Sequence, residues 1–361
     1  MRAEGAEADP AARAGRVSRR LWLGAALGFG ALVALPGAWL AWQSSRGTPE
    51  PPMPDPNGYD DLVAAGAMVQ GQMPAQGDLR KAATEDLRSW VGSNADALAR
   101  ARVGLGRETR VRLPDELMPQ SRMDALSGLR QLARLLTAEG EIASRDGKPA
   151  ETARSVVDAF RLARGTAHGG VIIDHQVGSA VEMMTEQCLH RWLDTLPAAE
   201  CRTLIAAVED QARGRETVDT IFARDQAFTT SRSGWQQWVA GKLAARMVAG
   251  TMASLKTSMT LIERLHQAQR GILAATLALR LYRLDHPEAP VPAGLEALVP
   301  AYLPSVPADP FGKGPIKMKV EQGGKAFVYS VGPDGVDDNN TPIPPRAGFL
   351  PTVKGDITSP R

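Results

Sequence analysis

One apolar stripe constrains this chain more than any other feature. Leu255, Met259, Ile262, Leu265, Ala268, Ile272, Leu273, Leu277 and Leu281 recur at three- and four-residue steps. That spacing predicts a helix of roughly 30 residues. It should stop before His286-Pro287, because proline disfavours a helical residue ahead of it. A stripe of this length needs a sheet or other helices to cover it. Downstream, residues 294–299 read as a short helix. Ile316, Met318 and Val320 then alternate with Lys317 and Lys319, and residues 327–331 form a second strand. Gln322-Gly323-Gly324-Lys325 is the hairpin turn between them.

Residues 59–284 carry helical periodicity throughout. Leu126, Leu129, Leu132, Ala133 and Leu136 make one stripe, and Ala150, Ala153, Val156, Val157, Phe160 and Ala163 make the next. Gly147-Lys148-Pro149 breaks the chain between them, which predicts an antiparallel helical hairpin. Residues 140–163 resemble one tetratricopeptide-type repeat, but no second copy follows at that period. An irregular, repeat-like helical bundle is the expectation. Further helices are expected over 171–193, 198–212 and 216–239.

Ahead of this region, Arg13, Arg16, Arg19 and Arg20 precede an uncharged run over 21–42. A bilayer core about 30 Å thick takes roughly 20 apolar residues. The arginines would stay on the cytoplasmic side. A cleaved signal peptide is the rival reading, but no Ala-x-Ala site follows the run. The expectation is therefore a single-pass inner-membrane anchor with the bulk of the chain extracytoplasmic. Pro49, Pro51, Pro52, Pro54 and Pro56 form a stiff spacer. The organisation read from sequence is a basic tail over 1–20, a transmembrane helix over 21–43 and a linker over 44–57. A helical domain over 58–254 and an α+β module over 255–361 complete it. The fold class is mainly α with a small C-terminal α+β module.

Composition removes several functions. The net charge is +2, which leaves no nucleic-acid footprint. Cys188 and Cys201 are the only cysteines, too few for a disulfide framework, and read as buried thiols. Catalytic patterns are poor, no residue is assigned a catalytic role, and no small-molecule substrate is evident. His168, Asp174 and His175 lie around a Gly-Gly pair. Glu182, Glu186 and His190 share a helical face, which suits either a metal-binding stripe or a solvated face with ion pairs.

The order of C-terminal motifs is more specific. It runs ALRLYRLDHPEAP, GLEALV, YLPSVPADPFGKGPIKM, FVYSVGPDGVDD and KGDI. Over about 265–358 this resembles the C-terminal globular domain of type II secretion major pseudopilins. The resemblance implies a Ca²⁺ site in the loop after the last major strand, with the Val331 carbonyl, Asp334 and Asp356 as ligands. Asp337 and Asp338 lie within the same loop. Six to eight oxygens at roughly 2.3–2.6 Å suit that ion; a solvated Asp/Asn/Gly turn is the alternative. The family's leader-cleavage motif, with a glutamate early in the membrane helix, is absent from 21–42. Residues 260–263 mimic it, but charged and polar residues follow them. The resemblance implies a calcium-stabilised, membrane-anchored envelope protein. Its role would be protein interaction or structure, in secretion or pilus-like machinery. The alternative is a helical-repeat scaffold or adaptor unrelated to secretion, with a hidden hydrolase as a third reading.

Overall fold

The computed structural model describes residues 52–117, 119–232, 235–344 and 353–359; the side chains of 76 and 231–251 also lie outside it. The expected membrane helix over 21–43 falls outside the described residues. Among the described residues no helix is long and apolar enough to cross a membrane. The expected fold class is corrected accordingly, to a mainly helical body with a small C-terminal antiparallel sheet. The single-pass inner-membrane topology, with the membrane as partner, is withdrawn with it.

Residues Pro54–Arg361 form one compact unit. Its helices are α1 (Gly58–Met68), α2 (Thr84–Ser93), α3 (Ala95–Leu105), α4 (Gln120–Arg145) and α5 (Pro149–Ala167). They continue with α6 (Ile172–Trp192), α7 (Ala198–Arg213), α8 (Val218–Arg232) and α9 (Trp235–Asp285). The sheet follows as β1 (Lys317–Val320), β2 (Ala326–Ser330) and β3 (Ile357–Thr358).

The α4–α5 hairpin forms where the sequence places it. Gly147 takes a left-handed φ of +67° after the end of α4. Lys148 N then donates to Ala143 O at 2.8 Å, and Pro149 opens α5 in its first turn. Leu126, Leu129, Leu132, Ala133 and Leu136 are all fully buried, facing Val156, Phe160 and Ala163 across the hairpin. Each such leucine contributes about 1.5–3 kcal/mol by leaving water. α5 packs in turn on α6, and α1 lies across α3 and α4. Asn57 caps α1 by accepting from Tyr59 N at 3.1 Å, and its amide donates to Arg110 O at 2.8 Å.

α9 is 51 residues long, well beyond the roughly 30 that its stripe predicts. No proline interrupts 235–285, so nothing stops the helix upstream of the stripe. It ends at Asp285, ahead of Pro287 as expected. The helix expected over 216–239 instead closes at Arg232 as α8. Ile272, Leu273, Leu277 and Leu281 of α9 are buried against α7, β2 and β3, whereas Ile262 is 46% exposed. The stripe is therefore covered only in its C-terminal half.

The sheet order is β1-β2-β3, antiparallel throughout, with Met318 opposite Val328 and Ser330 opposite Ile357. Gly323 and Gly324 supply the positive φ of the hairpin turn. β2 is the central strand, and its Phe327, Val328 and Tyr329 are all buried. One continuous apolar cluster runs from Tyr59 in α1 through α4–α7 and α9 to Ile357 in β3. The helical region and the sheet thus share a core.

Candidate functional site

The expected calcium loop holds itself together with backbone hydrogen bonds. Asp356 is buried, and its two oxygens accept from Asp338 N at 3.2 Å and Asn340 N at 2.6 Å. Burial raises its carboxyl above the usual range. Asp338 accepts from Gly355 N at 2.9 Å. Asp337 accepts from Lys317 Nζ at 2.6 Å, Asn339 N at 3.0 Å and Tyr329 OH at 3.1 Å; the lysine lowers its carboxyl. Asp334 caps Val336 N at 3.1 Å. Val331 N donates to Asp309 at 2.8 Å, and that buried aspartate also accepts from Ser330 OH and Phe311 N.

Asp334 closes a local turn, whereas Asp337, Asp338 and Asp356 tie the loop to the strands and to the segment before β3. Among the described residues no group of three or more His, Cys, Asp or Glu side chains converges to hold a metal ion. The calcium-stabilised reading is corrected to a hydrogen-bonded loop, because its carboxylates face backbone N–H groups, the Lys317 ammonium and the Tyr329 hydroxyl rather than a common centre. Asp309, buried and accepting three hydrogen bonds, was not among the expected ligands. Its signal was the Asp-Pro-Phe-Gly turn.

The helical candidates separate into different tasks. Asp174 is fully buried, accepts from Val171 N at 2.8 Å at the start of α6, and pairs with Arg122 at 2.6 Å. Glu216 gathers His175 Nε2 at 3.2 Å, Gly169 N at 3.0 Å and Arg224. Burial opposes its charge, but these partners hold the carboxyl well below the usual range. Glu182 sits between Arg215 and Arg270, the latter at 3.0 Å. Both arginines also reach Glu263, at 2.6 and 3.1 Å. Glu186, one turn along α6, is buried with no cation in contact among the described residues. Burial, then the Glu182 charge, pushes its carboxyl up to about 8. Arginines bind Glu182, none pairs with Glu186, and these side chains do not converge with His190 on a metal site among the described residues.

His190 ends the α6 stripe in a different place. It lines a cleft of about 820 Å³ between α4, α6, α9 and the β1–β2 hairpin. Arg80, Arg134, Arg191, Arg280, Arg283 and Lys325 also line it, against Asp78 and Asp194. Arg80 pairs with Asp78, and Arg191 lies 3.4 Å from Glu141. The other four cations meet no carboxylate among the described residues. Arg134 donates to Gln131 at 3.4 Å, Arg280 to Leu196 O at 3.3 Å and Arg283 to Gly324 O at 3.4 Å. Lys325 Nζ sits 4.8 Å from the Phe327 ring centroid. A guanidinium carries five donors, and each of these three uses one at long range. Asp194 is too little to balance them, so the cleft holds surplus positive charge. Burial depresses His190 to about 4, so it adds none at neutral pH.

Sequence reading missed this cleft because its cations are scattered from Arg80 to Lys325. Only Arg280 and Arg283, one helical turn apart, were adjacent in pattern. No family model matches the chain, and no curated protein or solved structure does either.

Proposed function

We propose that this chain is a helical scaffold that docks an acidic segment of a partner protein in the basic cleft. The supporting observation is the set of four cations, Arg134, Arg280, Arg283 and Lys325, without carboxylate partners on one concave surface. Planar guanidinium groups take carboxylates bidentately, and their unused donors are already spaced along the walls. Aromatic residues are only 5% of the chain, so stacked bases find little platform, and Asp78 and Asp194 would repel a continuous phosphate backbone. The pseudopilin likeness of 255–361 is a proposal from the order of long helix, short helix and antiparallel sheet. It carries no secretion role, since fold alone does not fix function.

The test is titration of a ten-residue polyglutamate peptide into the full-length protein at low and high salt, with tripolyphosphate as the small-anion arm. The peptide should bind, weaken with salt, and lose at least tenfold in affinity on joint Arg283→Glu and Lys325→Glu substitution. Both side chains are exposed, so the fold should survive. An unchanged affinity in that variant would overturn the reading. So would tripolyphosphate binding where the peptide does not.

A further inference from the structure

A second, separate cavity lies where the α9 stripe is uncovered. It is about 250 Å³, partly open to solvent, and lined by α5, α6, the end of α7, the α7–α8 connection, the start of α8 and α9. Its walls include Ala163, Ala167, Val218, Ile221, Met259 and Ile262. Met183 and Ile262 form an apolar mouth, exposed by 37% and 46%. Methionine is flexible and polarizable, which suits an opening that must adapt to an entering molecule.

The charges around this cavity are already satisfied. Glu182 and Glu263 are both bridged by Arg215 and Arg270. Glu216 is held by Arg224 and His175, and Arg164 pairs with Asp210 at 2.9 Å. A charged ligand would therefore find no free counter-charge among these groups. Besides His175, which sits against Glu216, two histidines of the wall, His168 and His266, have a buried ring nitrogen without a hydrogen-bond partner among the described residues, and His266 is the more deeply buried. His266 lines the cavity, is 3% exposed, and its Nδ1 makes no hydrogen bond among the described residues. Burial lowers its basicity, so the ring is a neutral imidazole with one donor and one acceptor. Leaving a buried polar group unpaired is costly, and a ligand hydroxyl or amide would recover that cost. A cavity of about 150 Å³ already has room for a single aromatic ring.

We infer that this cavity is a binding site for a small, uncharged, mostly apolar molecule carrying one hydroxyl or amide group, which hydrogen-bonds to His266. The site is independent of the basic cleft. It is tested with phenol, titrated into full-length protein labelled at the methionine methyls and followed by NMR. Phenol should shift the Met183 and Met259 methyls saturably. Benzoate and benzylamine, the same ring with a charge of either sign, should not. His266→Phe should weaken phenol about tenfold and leave benzene unchanged. Ile262→Trp, at the exposed mouth, should block both without disturbing the buried core. Absence of a saturable shift up to the solubility of phenol would overturn the proposal. So would equal binding of benzoate, or full phenol affinity in His266→Phe.

Discussion

At the residue scale, Glu186 is the group whose state depends most on the surrounding fold. Its carboxyl is buried beside Glu182, and both available arginines are taken up by Glu182 and Glu263. Burial, and then the Glu182 charge, raise it to about 8. The folded protein therefore keeps a proton that the unfolded chain releases near the ordinary glutamate value. A state that binds more protons loses stability as pH rises. The loss should run from about pH 4.5 to about pH 8, levelling off above. Glu186→Gln removes it. Thermal melts should show the variant more stable than the parent at pH 8 by more than about 1 kcal/mol, roughly 2–4 °C. The difference should shrink towards pH 5. An equal difference at both pH values would mean that Glu186 is ionised in the folded state.

Among the elements, the approach of α1 to α4 depends on two glycines facing each other. A Cβ on Gly66 would lie 2.7 Å from Gly128 C, and one on Gly128 would lie 2.9 Å from Gly66 C. Both obstacles are backbone, so neither can rotate away. Alanine gains about 1 kcal/mol in intrinsic helix preference over glycine. Overpacking of this kind costs about 1–3 kcal/mol, and here the helices themselves must separate. Gly66→Ala should therefore lower the urea midpoint. Gly92→Ala, on an open face of α2 with nothing within 4 Å, should leave it unchanged or raise it. The α9 stripe makes a second case at this scale. Its period is helical from Leu255 to Leu281, but only the half beyond Leu265 finds neighbours that cover it fully. Periodicity reports a face able to be buried, whereas the placement of α7 and the sheet decides where along the helix that happens.

For the whole molecule, the shared core ties the C-terminal module to the helical region. Leu204, Ile205 and Val208 of α7 are buried in the same cluster as Leu277 and Leu281 of α9 and Ile357 of β3. Deleting 255–361 should therefore strip α7 of its main partner. The truncated chain should lose a cooperative melt and gain binding of a hydrophobic dye, while the full-length protein unfolds in one transition over this unit. A truncated protein that melts as sharply as the parent would show the helical region to be self-sufficient. The basic cleft also belongs to this scale, because helices α4, α6 and α9 and a hairpin each contribute to its walls.

The sequence by itself determined the helices with strong periodicity and clear punctuation. The α4–α5 hairpin, the end of α9 before Pro287 and the β1–β2 hairpin follow from stripes, glycines and prolines acting on the local backbone. The loop carboxylates were also legible as residues, but not in their task. Asp, Asn and Gly in that density serve either a cation or a turn, and only the position of the facing N–H groups separates the two. The cleft and the cavity are tertiary outcomes. Arg134, Arg280, Arg283 and Lys325 lie up to nearly two hundred residues apart in the chain. His266 looks like any polar residue on a helix until α5, α6 and the α7–α8 connection close around it. Local preferences are written in nearest neighbours, whereas charge surplus and an unpaired buried ring nitrogen depend on which distant segments meet.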